Sequence, residues 1–343
     1  MKAVSVSLVL TFLVAFSDCT RKPSSGNEDD LRDDSIGMKD STKVEEPKVV
    51  DLTPKDLSIE KKLLYDKYTL EDTYPYRDTT REFQWDKIRE EIVKVENIQQ
   101  RSKLNWGVLK NRRNENGEAP LVKKVGRNKH TRVVDSLGTE KYQSAPLYLL
   151  NDTVVPEIYG RDGSLVKVLG ETGGFTHVQT IHRDGEWMVP TRYVKSLGSF
   201  DFERYAVVDR KNQNIATLEK DSTNNRHWLV RSMNPATTGL NNPPHQQETP
   251  LGIFVVMEKK PKMYYLVDGT SEIAGFAPTA SRFCCGAYIH GVPVNLPRKT
   301  VIEWSNSLGT TPRSHMCVRN ASSHAEFVYE WAELEKPLVV VIE

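Results

Sequence analysis

Residues 314–320 read Ser314-His315-Met316-Cys317-Val318-Arg319-Asn320, and a shorter stretch upstream reads Tyr288-Ile289-His290-Gly291. A cysteine nucleophile acts as its thiolate, so it needs a neighbour that takes its proton or stabilises its charge. Histidine, with an ordinary pKa of about 6.5, suits that work near neutral pH. Here His290 precedes Cys317 by 27 positions. An attacked carbonyl also needs donors for the developing oxyanion, and backbone N–H groups where a loop turns into a helix provide them. Residues 321–333, ASSHAEFVYEWAE, predict a helix that begins just after Cys317. That reading places the thiol near a helix N-terminus, which favours the thiolate.

Around this stretch the pattern is β. Ala206–Asp209 and Asn214–Leu218 read as a hairpin around 210–213, and His227–Met233 as a strand. Thr249-Pro250-Leu251-Gly252-Ile253-Phe254-Val255-Val256 reads as a turn and a strand. Tyr264–Val267 and Ala287–Ile289 are further strands, and Leu338–Ile342 is a continuous apolar run fit for a closing buried strand. There is no βαβ alternation and no Gly-rich phosphate loop. The expected fold is a β-sandwich or closed β-sheet with one or two short helices.

The motifs, in this order, resemble the YkuD-type L,D-transpeptidase family over residues 204–343. Tyr205–Gln213 resembles the family's opening strand and turn. Thr249-Pro250-x-Gly252-x-Phe254 resembles its Thr-Pro-x-Gly-x-Phe turn, and His290-Gly291 its His-Gly strand end. Ser314-His315-x-Cys317-x-Arg319 resembles its Ser-His-Gly-Cys-x-Arg/Asn signature, and 327–341 its final helix and strand. The resemblance implies that Cys317 is a nucleophile forming a thioacyl-enzyme. His290 would be the general base, its ring oriented by a carbonyl near Gly291. The N–H groups of Met316 and Cys317 would serve as an oxyanion hole, and His315 would shape the pocket. Arg319 would pair with a substrate carboxylate, with Ser314 beside it on the substrate side. No cofactor and no metal are implied. The substrates would be peptidoglycan stem peptides: an acyl group passes to an amine, or to water in an L,D-carboxypeptidase.

Two features depart from the family pattern. Met316 stands where the family has Gly, and a positive φ there would strain a Met. The His–Cys interval is also long, and its extra residues, within Val292–Arg313, would form a lid over the cleft. A papain-like peptidase would place its Cys before its His. His324 is the sole His after Cys317, so that order is not met. A non-catalytic wall-binding lipoprotein is the remaining alternative, with Met316 as its support. Cys284-Cys285 reads as packing, because neighbours on a strand face opposite ways and cannot easily share one metal. His130, His177, His182, His227, His245 and His324 have no ligand spacing.

Upstream, residues 145–198 carry short β-rich runs, Val166–Leu169, Phe175–Ile181 and Glu186–Val189, between Gly-rich turns. They suggest a small β-barrel and resemble bacterial SH3-like domains, which commonly sit beside cell-wall enzymes. Residues 61–144 are expected to be a mixed, α-helical accessory region. Within it Trp85, Ile88, Ile92 and Val95 predict an amphipathic helix over 80–100, capped by Thr79 or Thr80.

The chain begins with Lys2 and an apolar run of 14 residues, 3–16, which ends near Cys19. The run fits a signal-peptide core, and a Cys at its end resembles a bacterial lipoprotein signal. Residues 1–19 are therefore read as a signal, with Cys19 lipidated or, in the plainer alternative, an ordinary cleavage. Either reading exports the body to the cell envelope or periplasm; a lipidated Cys19 would anchor it to the membrane. Residues 20–60 lack Phe, Trp and Tyr and hold seven basic against eleven acidic residues. They are expected to be a disordered acidic tether. The whole chain, 343 residues with 47 Lys plus Arg and 46 Asp plus Glu, gives no electrostatic argument for nucleic acid. Its four Cys are too few for a disulfide scaffold.

Overall fold

The computed structural model describes residues 50–101, 104–183 and 185–343. The expected signal with Cys19, and residues 20–49 of the expected tether, lie outside the described residues. A six-stranded sheet organises the rest. Its order is Ser58–Lys61, Asn224–Pro235, Asn214–Asp221, Arg204–Asp209, Leu338–Ile342, Gly252–Val255. Both edges of the strand Arg204–Asp209 are used. Residues 214–221 pair with it antiparallel, and the closing strand 338–342 pairs with it in parallel.

The period-two rule explains why these residues form a middle layer. Tyr205, Val207, Ile253, Val255, Leu338 and Val340 enter one apolar cluster with helix Trp85–Gln99. Ala206, Val208, Phe254, Val256, Val339 and Val341 enter another, shared with a second sheet and helix Ser322–Trp331. A strand covered on both faces needs apolar residues at consecutive positions, which is why Leu338–Ile342 is a continuous run. Each fully buried Val or Leu contributes about 1.5–3 kcal/mol.

The second sheet runs Glu258–Leu266, Ile273–Cys284, Ala287–His290, Val318–Arg319. Its last pair is parallel, with Ile289 opposite Val318 and His290 opposite Arg319. Ile289 and Val318 point into the core. His290 and Arg319, one position further along, therefore face the other side. A third, antiparallel sheet has the order Glu186–Pro190, Phe175–Thr180, Leu165–Thr172, Trp106–Leu109, Val194–Gly198.

Four expectations change. The expected unit 145–198 is not self-contained, because Trp106–Leu109 lies between two of its strands. The region 61–144 is mixed but not mainly helical: among its described residues one α-helix, Trp85–Gln99, stands among short strands. That helix starts later than 80. Thr79 and Thr80 do not cap it but form a strand, Thr79–Glu82, paired with Thr73–Tyr76. β-Branched Thr suits a strand as well as a cap, and the turn at Arg77 (φ 53°) settles the hairpin. Finally, residues 50–60 are not tether. Leu52 and Leu57 are buried in the core, and Ser58–Lys61 adds a parallel edge strand beside His227–Val230. Pairing with a sheet edge satisfies their backbone groups, which composition alone does not reveal.

Candidate active site

His290, Ser314, His315, Cys317 and Arg319 line a single cleft of about 680 Å³. One wall is the hairpin tip Met263–Thr270; another is formed by Asn295, Ser305, Ser307 and Leu308. A second cavity, about 60 Å³, lies beside Leu109, Tyr159 and Leu251 and holds none of these five residues.

His290 ends its strand buried, 3% exposed. Its Nδ1 lies 2.7 Å from the carbonyl oxygen of Gly291. A carbonyl only accepts, so Nδ1 carries the hydrogen and Nε2 keeps its lone pair. Burial pushes the pKa down to about 4, with the Gly291 contact acting against the shift. The ring is neutral at pH 7, a base with its proton-accepting nitrogen free.

Cys317 is half-buried, and its Sγ lies 3.6 Å from the Gly286 carbonyl oxygen. Burial raises its pKa, opposed by the Tyr288 backbone N–H and the Arg319 charge. The expected helix-terminal thiolate is not what forms. The helix starts at Ser322, and the strand Val318–Arg319 intervenes. At rest Cys317 is therefore a neutral thiol and His290 a neutral imidazole.

The turn before Cys317 is tightly held. Met316 has φ 104°, the left-handed side that non-glycine residues avoid. Its carbonyl accepts from Thr249 Oγ1 at 2.8 Å, and that oxygen accepts the Gly239 N–H at 2.9 Å. Gly239 has no side chain for a reason: a Cβ there would come within 2.8 Å of Met316 Cα. Ser314 is 1% exposed, and its hydroxyl donates to the Cys317 carbonyl. Among the described residues, the N–H groups of Met316 and Cys317 have no acceptor in the protein.

His315 is exposed and contacts Asp268 on the hairpin tip, Nε2 to Oδ2 3.0 Å. Arg319 is half-buried in the cleft, with no carboxylate in ion-pair reach among the described residues. Its Nε is buried and without a partner. Burial lowers its pKa, and Arg313 acts in the same sense. Gly291 stacks closely on Ser322, whose hydroxyl takes the Val292 N–H at 3.1 Å.

Cys284 and Cys285 are buried at the turn behind Cys317, with 3.3 Å between sulfurs. Asp162, on the turn before Leu165–Thr172, accepts from the Cys285 N–H at 3.1 Å and pairs with Arg282. The supporting residues Thr249, Asp268, Asp162, Thr237 and Gly239 carry no assigned part in the sequence reading. The Thr-Pro turn and the Asp268-Gly269 hairpin signal were the two available hints.

Residues 203–341 match the family model for the YkuD L,D-transpeptidase catalytic domain. No curated protein matches the chain. Among solved structures, an L,D-transpeptidase from Mycobacterium smegmatis is 16% identical, with 52% of this chain and 82% of that one covered and a TM-score of 0.34. An L,D-transpeptidase from Mycobacterium tuberculosis H37Rv is 18% identical over 54% of this chain and 92% of that one, with a TM-score of 0.32. L,D-transpeptidase 3 from Mycobacterium tuberculosis, in complex with a faropenem-derived adduct, is 17% identical over 54% of this chain and 93% of that one, with a TM-score of 0.33.

Proposed function

With residues 203–341 a YkuD-type L,D-transpeptidase catalytic domain, we propose that the protein forms a thioacyl-enzyme on Cys317 and passes a peptidoglycan stem-peptide acyl group to an amine. The observation that carries this reading is that a neutral, oriented His290, Cys317 and an unpaired Arg319 line one cleft.

The steps balance as follows. Nε2 of His290 takes the thiol proton as Sγ attacks the carbonyl carbon. The oxyanion is met by the free N–H groups of Met316 and Cys317, about 2–4 kcal/mol per donor in comparable sites. The tetrahedral adduct collapses by expelling the amine of the terminal residue, which takes the proton from His290. A second amine then attacks the thioester and gives its proton to His290, and Sγ leaves to recover the thiol. Arg319 receives a carboxylate of the donor, which would satisfy its orphaned Nε. Water in place of the second amine gives the carboxypeptidase outcome.

Met316 is the observation that favours a non-catalytic protein. Its backbone, however, holds the left-handed conformation that glycine would adopt freely, and Thr249 and Gly239 secure it there. The sheet 106–198 is read as an SH3-like wall-peptide module, and the chain as an exported lipoprotein anchored through Cys19. Incubation of the protein with tetrapeptide-stem muropeptides, followed by mass spectrometry, tests the activity. Crosslinked or shortened stems that vanish in Cys317→Ala and in His290→Ala are expected. Intact substrate with the wild-type protein would reject the reading.

A further inference from the structure

The interval 292–313 is not a free lid. It is tied to a segment upstream of the catalytic domain. Lys67 Nζ lies 2.9 Å from Glu303 Oε1, and the Tyr68 ring sits 4.4 Å from the Trp304 ring, centroid to centroid. Tyr68, Ile302 and Trp304 pack on a small apolar cluster of Val292, Leu308 and Ala321. The strongest tie is Arg81, on the hairpin 73–82. Its Nη1 donates to the Gly309 carbonyl and its Nη2 to the Thr310 carbonyl at 2.7 Å. The Tyr76 ring lies beneath the guanidinium, 3.5 Å from ring centroid to Cζ.

Those two carbonyls belong to the turn that lines the cleft through Ser307 and Leu308. The same turn is gripped from the other side by Thr237. Its Oγ1 donates to the Ser307 carbonyl at 2.9 Å and accepts the Gly309 N–H at 3.1 Å. Thr237 also exchanges both backbone hydrogen bonds with Arg319, each 2.9 Å. A continuous path of hydrogen bonds thus runs from Arg81 through 307–310 and Thr237 to the strand that carries Arg319.

We propose that Arg81 is a positioning residue for substrate: its planar fork clamps two adjacent carbonyls of the 307–310 turn and so fixes part of the wall of the cleft that His290 and Cys317 also line. Arg suits the task because five fixed donors can bridge two acceptors, which a lysine ammonium on a flexible stem does poorly. The clamp touches neither His290 nor Cys317, so it acts on binding and not on the nucleophile's reactivity.

The kinetic part rests on the transpeptidase reading, so the test carries a readout independent of it. The full chain and its Arg81→Ala and Arg81→Lys variants are compared by hydrogen exchange, by steady-state kinetics on a tetrapeptide stem, and by Cys317 alkylation with iodoacetamide. In Arg81→Ala, amides of 303–310 should exchange faster while those of Arg204–Asp209 stay as in the wild type. KM for the stem should rise about tenfold with kcat within about twofold, and the iodoacetamide rate should not change. Arg81→Lys should fall between the two. Unchanged exchange at 303–310, or an unchanged KM, would overturn the proposal. So would faster exchange throughout with kcat and alkylation falling together, which is the signature of a general brace. If the wild type turns over no stem, the transpeptidase reading fails, and exchange at 303–310 alone still decides the clamp.

Discussion

The hydroxyl of Thr249 donates to the carbonyl of Met316 across 2.8 Å, and through this bond a turn remote in sequence sets the backbone in front of Cys317. The same oxygen accepts the Gly239 N–H, so one side chain satisfies a buried donor and a carbonyl at once. Thr249→Val keeps the shape and removes both bonds. It should cost about 1–3 kcal/mol, because buried groups are left without partners, and Thr249→Ser should restore most of it. Urea unfolding of the three proteins, with equal m-values, checks this.

Met316 gives an inverted substitution order. At an ordinary position Ala is better than Gly by about 0.5–1 kcal/mol. At φ 104° an Ala keeps the strain and loses the contacts of the Met side chain, while a Gly sheds the strain. Met316→Gly should therefore be the more stable of the two variants, and it should retain activity. An ordinary order, Ala above Gly, would show that the backbone here is not held left-handed.

Acid should destabilise the fold through its buried neutral histidines. His324 is fully buried, with its pKa pushed down to about 3, and among the described residues only Ser232 bonds to its ring. In the unfolded chain it binds a proton below about 6.5, while the folded chain refuses one until about 3. Its stabilising share is complete above pH 6.5 and falls away as the pH drops from there. The share is on the order of a few kcal/mol. Glu96, raised to about 7 by burial, acts in the opposite sense between 4.5 and 7. The difference between wild type and His324→Leu isolates the histidine: the wild type should lose more melting temperature between pH 7 and pH 4.5 than the variant does. Parallel curves would contradict the burial of a neutral ring.

Asp162 joins the third sheet to the turn 284–286 behind Cys317. It is fully buried and ion-paired with Arg282, and it accepts from the backbone of both Asn111 and Cys285. Asp162→Asn removes the nearer of Arg282's two carboxylate partners, leaving Glu258 at 3.3 Å, and should cost about 1–3 kcal/mol. The turn 284–286, whose Gly286 carbonyl faces Cys317 Sγ, should loosen with it. A thermal-shift change below a degree or two would show that the pair carries little.

Much of the region 203–341 was legible because its strands obey simple patterns. Leu338–Ile342 is apolar at every position, as a strand buried on both faces must be. Val207 and Val208 fall in different clusters as alternation requires. The candidate residues His290 and Cys317 stood out by residue type in two short motifs, and both line one cleft. What could not be read lies in long-range pairings. Trp106–Leu109 is four residues in polar surroundings, and only its neighbours at 165–167 and 194–198 make it a strand. Asp268 finds His315 47 positions away, and Arg81 finds Gly309 across 228. The thiolate expectation failed for a local reason: the strand Val318–Arg319, Asn320 and the cap Ala321 separate Cys317 from its helix, so the helix N-terminus does not reach it.

The central claim is that Cys317 carries the acyl group. An acid quench of the protein with a tetrapeptide-stem donor, followed by peptide mapping, reads this directly. The account predicts an adduct on the peptide containing Cys317 with the mass of the donor less its terminal residue, and no such adduct in Cys317→Ala. Product formation that persists in Cys317→Ala, with no mass added at Cys317 in the wild type, would contradict it.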